Sequence, residues 1–256
     1  MSRSIADSIG TVLSGSMAPD EEHIVGRIEA IRAQMDASPR MIVCTDFGAG
    51  DGTEARSPAE MRAGVEVRST LGEISRNSSK SPVGARLLFR LIRAVKPASC
   101  VEMGTCVGIS AAYQAAALKL NGQGQLVTLE GAAELAAIAK ENLELLGFEQ
   151  VEVMVGRFEH TLPAALQRLS PVDYVFVDGH HDHAATLAYF EQVLVALSET
   201  AVVVFDDISW SAGMEEAWQL ISRHPRVSLA LDMGALGVCV MDPSIEDRNY
   251  FRIPLE

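Results

Sequence analysis

The chain is short of several things that large classes of protein need. Positive charge is scarce, with 21 lysines and arginines against 34 aspartates and glutamates and a net charge of −13. Phosphate recognition normally uses a basic patch, so no nucleic-acid partner is expected, and an anionic membrane surface is equally disfavoured. No apolar run approaches the roughly 20 residues that a membrane helix needs. The opening Met1-Ser-Arg-Ser-Ile-Ala-Asp7 has no apolar signal core. Cysteine is sparse, and Cys44, Cys100, Cys106 and Cys239 form no CxxC pair, so they read as reduced structural thiols. These absences predict a cytoplasmic chain that meets neither nucleic acid nor membrane. What remains is ordinary for an enzyme: 256 residues, 48% of them apolar, enough for one full α/β domain with a large core.

From residue 99 onward, strand-like and helix-like segments alternate. Ser99–Met103, Gln125–Glu130, Val151–Val155, Val172–Asp178 and Ala201–Asp206 are short apolar runs rich in β-branched residues. Helical stretches such as Ala132–Leu146 and Ala184–Leu197 separate them. That is the pattern of a parallel sheet with helices on both faces. Val227–Asp232 and Leu236–Met241 then follow with only Met233-Gly-Ala between them, which predicts an antiparallel hairpin. The expected fold is therefore α/β and Rossmann-like: a seven-stranded, mostly parallel sheet closed by an antiparallel C-terminal hairpin. Upstream, Ile24, Ile28, Ile31 and Met35 share a helical stripe, and Val83 to Val95 is amphipathic and stopped by Lys96-Pro97. Residues 1–82 read as a helical cap or lid, and residues 83–256 as the ligand-binding domain.

Two glycine-rich turns compete for a cofactor. Asp46-Phe-Gly-Ala-Gly-Asp-Gly-Thr53 follows the apolar Met41-Ile-Val-Cys44, but Pro58 interrupts any helix after it and the strand count is complete without it. It reads as a turn in the cap, with a lid segment touching the ligand as the alternative. The second turn, Val101-Glu-Met-Gly-Thr-Cys-Val-Gly-Ile-Ser110, leads from a strand into the small-residue helix Ala111 to Leu118. Glycines there allow close backbone approach, and the helix start offers free N–H groups. Its spacing is Glu-x-Gly-x-x-x-Gly rather than the Gly-x-Gly-x-x-Gly of a pyrophosphate cradle. Its leading acid, Glu102, would repel a diphosphate and suits a cation. Glu130, at the end of the next strand, suits the two hydroxyls of a ribose. A ribose-bearing ligand without phosphate and with a cationic amino-acid end is S-adenosylmethionine.

Glu102-Met-Gly104-Thr-Cys-Val-Gly108-Ile-Ser110, Glu130, Val155-Gly156, Val175-Phe-Val-Asp178 and Val204-Phe-Asp-Asp207 together resemble class I S-adenosylmethionine-dependent O-methyltransferases, in particular the catechol-type and related bacterial small-molecule group. The match runs in order over about residues 83 to 241. The resemblance implies that Glu102, Gly104, Thr105 and Ser110 hold the methionine end, with Cys106 and Gly108 in the same turn. It implies that Glu130 and Gly131 meet the ribose, that Arg157, Phe158 and Glu159 flank the adenine, and that Asp178 reaches the cofactor. It also implies a small-molecule hydroxyl acceptor and a homodimer.

Asp178, Asp206 and Asp207 fall at the carboxyl ends of adjacent parallel strands, the ligand-binding edge of such sheets. Three carboxylates converging there need a cation or proton between them, and hard oxygen ligands favour Mg²⁺ or Ca²⁺. The alternative is that Asp207 faces solvent or caps the next segment and no metal is used. The resemblance implies that Asp178, Asp206 and Asp207 hold the metal, although the family's third ligand is usually asparagine. The family's lysine base falls on His181, and histidine with an ordinary pKa of about 6.5 is a workable base near neutrality. His180 and His183 are the alternatives, and zinc is disfavoured for want of a second partner at a familiar spacing. Trp210, Met214 and Trp218 are candidates for the pocket wall or for the core. Competing readings are a different reaction on the same fold, such as hydroxylation, or a cofactor-binding protein without catalysis. A nicotinamide dehydrogenase ranks lower because no pyrophosphate loop is present.

Overall fold

A computed structural model of the chain describes residues 10, 16–50 and 56–255. Methionine 1 to Asp7 and the Asp51–Thr53 end of the first glycine turn lie outside these residues. The chain opens with α1 (Pro19–Asp36), β1 (Met41–Asp46), α2 (Pro58–Ala63), β2 (Val65–Thr70), α3 (Leu71–Ser78) and α4 (Pro82–Val95). The alternating part follows as β3 (Ser99–Met103), α5 (Ile109–Asn121), β4 (Gln125–Glu130), α6 (Ala133–Leu146), β5 (Val151–Val155) and α7 (Phe158–Leu169). It continues with β6 (Val172–Val177), α8 (His183–Ala196), β7 (Leu197–Phe205), α9 (Ala212–Ser222), β8 (Leu229–Asp232), β9 (Gly237–Met241) and β10 (Asn249–Arg252).

The main sheet runs β10-β8-β9-β7-β6-β3-β4-β5. β3, β4, β5, β6 and β7 are mutually parallel, while β9 joins β7 and β8 antiparallel, as the short Met233-Gly-Ala turn requires. The count corrects the expected seven strands to eight among the described residues. Asn249–Arg252 adds to the edge, parallel to β8. It was missed because four exposed residues, two of them polar, carry no burial pattern, and only the backbone ladder to Leu229–Asp232 makes it a strand.

Two apolar layers sandwich the sheet, because successive strand side chains point to opposite faces. Cys100, Tyr174, Phe176, Val202 and Val204 face one layer with Ile28, Leu88, Ala115 and Ile138 from α1, α4, α5 and α6. Val101, Met103, Val175, Val177 and Val203 face the other with Leu162, Val193 and Trp218 from α7, α8 and α9. Both faces are covered, so the central strands are almost continuously buried. α5 is buried along most of its length, and its alanines let it lie close against α4 and the sheet.

The N-terminal region contains the expected helices and also an antiparallel hairpin, β1 with β2, outside the main sheet. Met41–Asp46 alternates exposed and buried residues, with Ile42 and Cys44 turned inward. Its partner lies beyond a polar loop, which hid the pairing in the sequence. α4 starts with Ser81, whose hydroxyl accepts the Gly84 N–H at 3.2 Å, and with Pro82 in the first turn. It ends at Lys96 in the left-handed region, just before Pro97.

Candidate cofactor and active site

The chain builds outward from β3 to β4 and β5 on one side and to β6 and β7 on the other. The carboxyl ends of β3 and β6 therefore flank the point where the strand order reverses, the usual crevice for ligands in an open α/β sheet. The turn after β3 is shaped for close approach. Gly104 has φ +97°, and a Cβ there would lie 1.8 Å from the Asp178 carbonyl oxygen. The Asp178 N–H donates to the Met103 carbonyl at 2.9 Å, so the two strand ends touch directly. Gly108, at φ +87°, ends the turn as the N-cap of α5, and a Cβ there would meet Ala139 at 3.2 Å.

Glu102 lies behind this turn rather than in it. Its carboxylate is fully buried, accepting from Gln114 Nε2 and from Thr128 Oγ1, both at 2.6 Å. Burial raises its pKa to about 7, the hydrogen bonds from Thr128, Ser110 and Gln114 opposing the shift. Thr105 Oγ1 lies 2.6 Å from Thr128 Oγ1. With the single Thr128 proton given to Glu102, Thr105 is the donor of that pair. Glu102, Ser110, Gln114, Thr128 and Thr105 thus form one buried network that fixes the turn to α5 and β4.

Glu130 stands at the end of β4, beside the turn. Its two oxygens accept the Cys106 and Ala132 N–H groups at 2.7 and 2.8 Å, which leaves lone pairs on each oxygen for a diol. Burial raises its pKa, and nearby Asp46 adds to the effect. Cys106 itself stands at φ +48°, half-buried, with burial raising its thiol far above the ordinary value. It lines the turn as an inert thiol. Phe158 packs against Gly179, where a Cβ would meet its ring at 2.7 Å. It also meets Tyr189 edge-on at 5.9 Å and His180 at 6.4 Å.

The first glycine turn, read as a cap turn with a lid as the alternative, packs beside Gly131, Arg157 and His180 at the carboxyl edge of the sheet. Phe47 lies against Gly131, where a Cβ would meet its ring at 2.9 Å, and under the Arg157 guanidinium, 5.3 Å from the ring centre. Arg157 also donates to the Arg62 carbonyl at 2.6 Å, and the Ala49 N–H donates to the His180 carbonyl at 3.0 Å. Two expected cofactor contacts, Gly131 and Arg157, are thus joined by a residue that the sequence reading did not single out.

The three histidines separate cleanly. His180 Nδ1 pairs with the Tyr189 hydroxyl at 2.6 Å, and burial lowers its pKa. His183, at the start of α8, faces Glu216 at 3.9 Å. His181 turns to the acids, with Nε2 3.8 Å from Asp178 and 3.6 Å from Asp207 and its ring 5.9 Å from Trp210. His180, His181 and Asp207 all have positive φ (72°, 46° and 53°), strained conformations of the kind that collect at working sites. Trp210 lines this side, whereas Trp218 and Met214 are buried, Trp218 packed over Gly237.

Asp178, Asp206 and Asp207 do converge, and an ammonium lies among them. The Lys80 Nζ donates to Asp206 Oδ2. Burial works against its charge, but Asp178, Asp206 and Asp207 outweigh it and raise its pKa. Asp178 is raised well above the usual carboxylate range by burial and then by Asp206, and Asp207 is raised by the same causes in the same order. Among the described residues no group of three histidines, cysteines or acids is arranged to hold a metal. The trio as it stands, with Lys80 on Asp206, does not fit the expected Mg²⁺ or Ca²⁺. The sequence carried one signal for Lys80: a cation just ahead of a helix N-terminus opposes the helix dipole and needs another partner.

Residues 101–208 match a methyltransferase domain family. A catechol O-methyltransferase of Niastella koreensis is 30% identical over 132 residues, 51% of this chain and 58% of that protein. A catechol O-methyltransferase of Mycobacterium tuberculosis is 32% identical over 130 residues, 50% of this chain and 56% of that protein. The chain thus spans a little over half the length of these curated relatives. An O-methyltransferase of Streptomyces achromogenes involved in tomaymycin synthesis, solved with S-adenosylmethionine, superposes with a TM-score of 0.55 at 25% identity, over 65% of this chain and 82% of that one. No helix among the described residues is long and apolar enough to cross a membrane.

Proposed function

We propose that the chain is a class I S-adenosylmethionine-dependent O-methyltransferase, the family its similarities point to, and that it methylates a hydroxyl of a small molecule, with catechols as the first acceptor class to test. The observation that carries this is the strand-end crevice, where the Gly104–Gly108 turn, Glu130 and the acid-flanked His181 meet. On this reading Gly104, Thr105, Cys106, Gly108 and Ser110 cradle the methionine end, and Glu102 holds that cradle in shape from behind. Glu130 and Gly131 take the ribose, Arg157, Phe158 and Glu159 border the adenine, and Asp178 closes the cofactor side. S-adenosylmethionine supplies a methyl carbon on a sulfonium, already a good leaving group, so the protein's task is mainly in-line positioning.

His181 takes the acceptor's hydroxyl proton on Nε2, and the imidazolium so formed faces Asp178 and Asp207. Residues 1–82 act as a cap over the cofactor edge of a domain spanning 83–256, supported by the Phe47 and Ala49 contacts. A cytoplasmic homodimer completes the reading, and the unpaired, buried Cys44, Cys100 and Cys239 suit a reducing compartment. The test is methyl transfer from labelled S-adenosylmethionine to a panel of catechols and other phenols. His181→Ala should lower turnover by roughly 10²- to 10⁴-fold while cofactor affinity stays within about twofold. Equal losses in both would remove His181 from the base role.

A further inference from the structure

We propose that Lys80 is the resident cation of the acidic crevice, a positioning residue whose ammonium occupies the place a divalent metal would otherwise take. The inference deepens the methyl-transfer reading and rests on it only for the meaning of the site, not for the test below. The lysine is delivered there by construction. It stands between α3 and α4, and its carbonyl accepts from Arg32 Nη1 of α1 at 2.9 Å. Its stem passes Gly84, where a Cβ would sit 3.1 Å from Lys80 Cγ, so a larger residue would crowd it. Its side chain is 15% exposed, on a partner that is 3% exposed. One buried ammonium that meets Asp206 and feels Asp178 and Asp207 supplies the positive charge that three convergent carboxylates demand. Asp206 Oδ1 is buried without a hydrogen-bond partner, so the cluster would have room for a second ligating bond if the ammonium left. A surface pair would contribute little, whereas a pair this buried leaves an uncompensated charge when one member goes.

The expected consequence is indifference to divalent ions while Lys80 is present, and a metal site when its charge is removed. Mn²⁺ binding to the full chain is read by electron paramagnetic resonance and by calorimetry. The wild-type chain and Lys80→Arg should bind Mn²⁺ no better than millimolar, before and after treatment with a strong chelator. Lys80→Ala and Lys80→Met should gain at least tenfold in Mn²⁺ affinity, and adding Asp207→Ala, which leaves no oxygen donor at that position, should take that gain away. A role in packing alone would not create a metal site, and the methionine variant keeps the stem for folding. Tight Mn²⁺ binding by the wild-type chain that Asp207→Ala abolishes would overturn the assignment, as would a folded Lys80→Met with no gain. S-adenosylmethionine titrated into the same samples keeps the two ideas apart. Failure of the wild-type chain to bind it would end the methyl-transfer reading and leave the Mn²⁺ result to decide on Lys80.

Discussion

At the scale of single residues, Glu102 is tied into a buried network with Gln114 and Thr128 behind the turn after β3. The sequence marked it as the turn's leading carboxylate and aimed it at a cation. The fold buries it completely, and Thr128 and Gln114 occupy its oxygens. Its partners come from β4 and α5, and spacing along one strand carries no information about them. The raised pKa gives a test with a definite sign. A carboxyl at about 7 in the folded chain, against 4.5 when unperturbed, holds its proton more tightly when folded. Its contribution to stability is therefore full below about pH 4.5 and is lost as pH rises through about 7. Glu102→Gln should remove that dependence. The stability difference between variant and wild type should shift in the variant's favour by on the order of 3 kcal/mol between pH 4 and pH 8. Urea unfolding at both values reads it, and a difference that is the same at both would mean Glu102 does not titrate in this range.

At the scale of elements, the alternating core was readable because each segment buries itself in a way its own composition announces. Ser99–Met103, Gln125–Glu130 and Val151–Val155 have the boundaries their apolar runs suggested. The N-terminal elements were harder, since β1 leaves the apolar Met41 and Val43 exposed and pairs with β2 across a loop. Counting strands of the main sheet argued against the first glycine turn as a primary site, and β1 indeed lies outside that sheet. The count could not reveal that this hairpin sets Phe47 between Gly131 and Arg157. Phe47→Ala should weaken S-adenosylmethionine binding by roughly three- to tenfold, the scale of one aromatic contact, with little change in unfolding temperature. Unchanged affinity by calorimetry would make the turn a cap segment without a cofactor role.

At the scale of the whole molecule, the sheet order explains why distant sequence segments meet. Strands built outward from β3 bring Gly104, Glu130, Asp178 and Asp206 to one edge, and the sequence pattern was enough to foresee that meeting. What it did not contain was the cap's aim: Lys80 and Phe47 reach the same edge from elements that precede the first strand of the main sheet. The edge strand β10 escaped for the opposite reason, since backbone pairing alone defines it. The central claim is that this edge is built for S-adenosylmethionine, and calorimetric titration tests it most directly. The wild-type chain should bind S-adenosylmethionine and S-adenosylhomocysteine and leave NAD unbound. Gly104→Ala, whose Cβ would lie 1.8 Å from the Asp178 carbonyl oxygen, should lose both adenosyl ligands. Binding of NAD with neither adenosyl ligand bound, or full affinity in a folded Gly104→Ala, would contradict it.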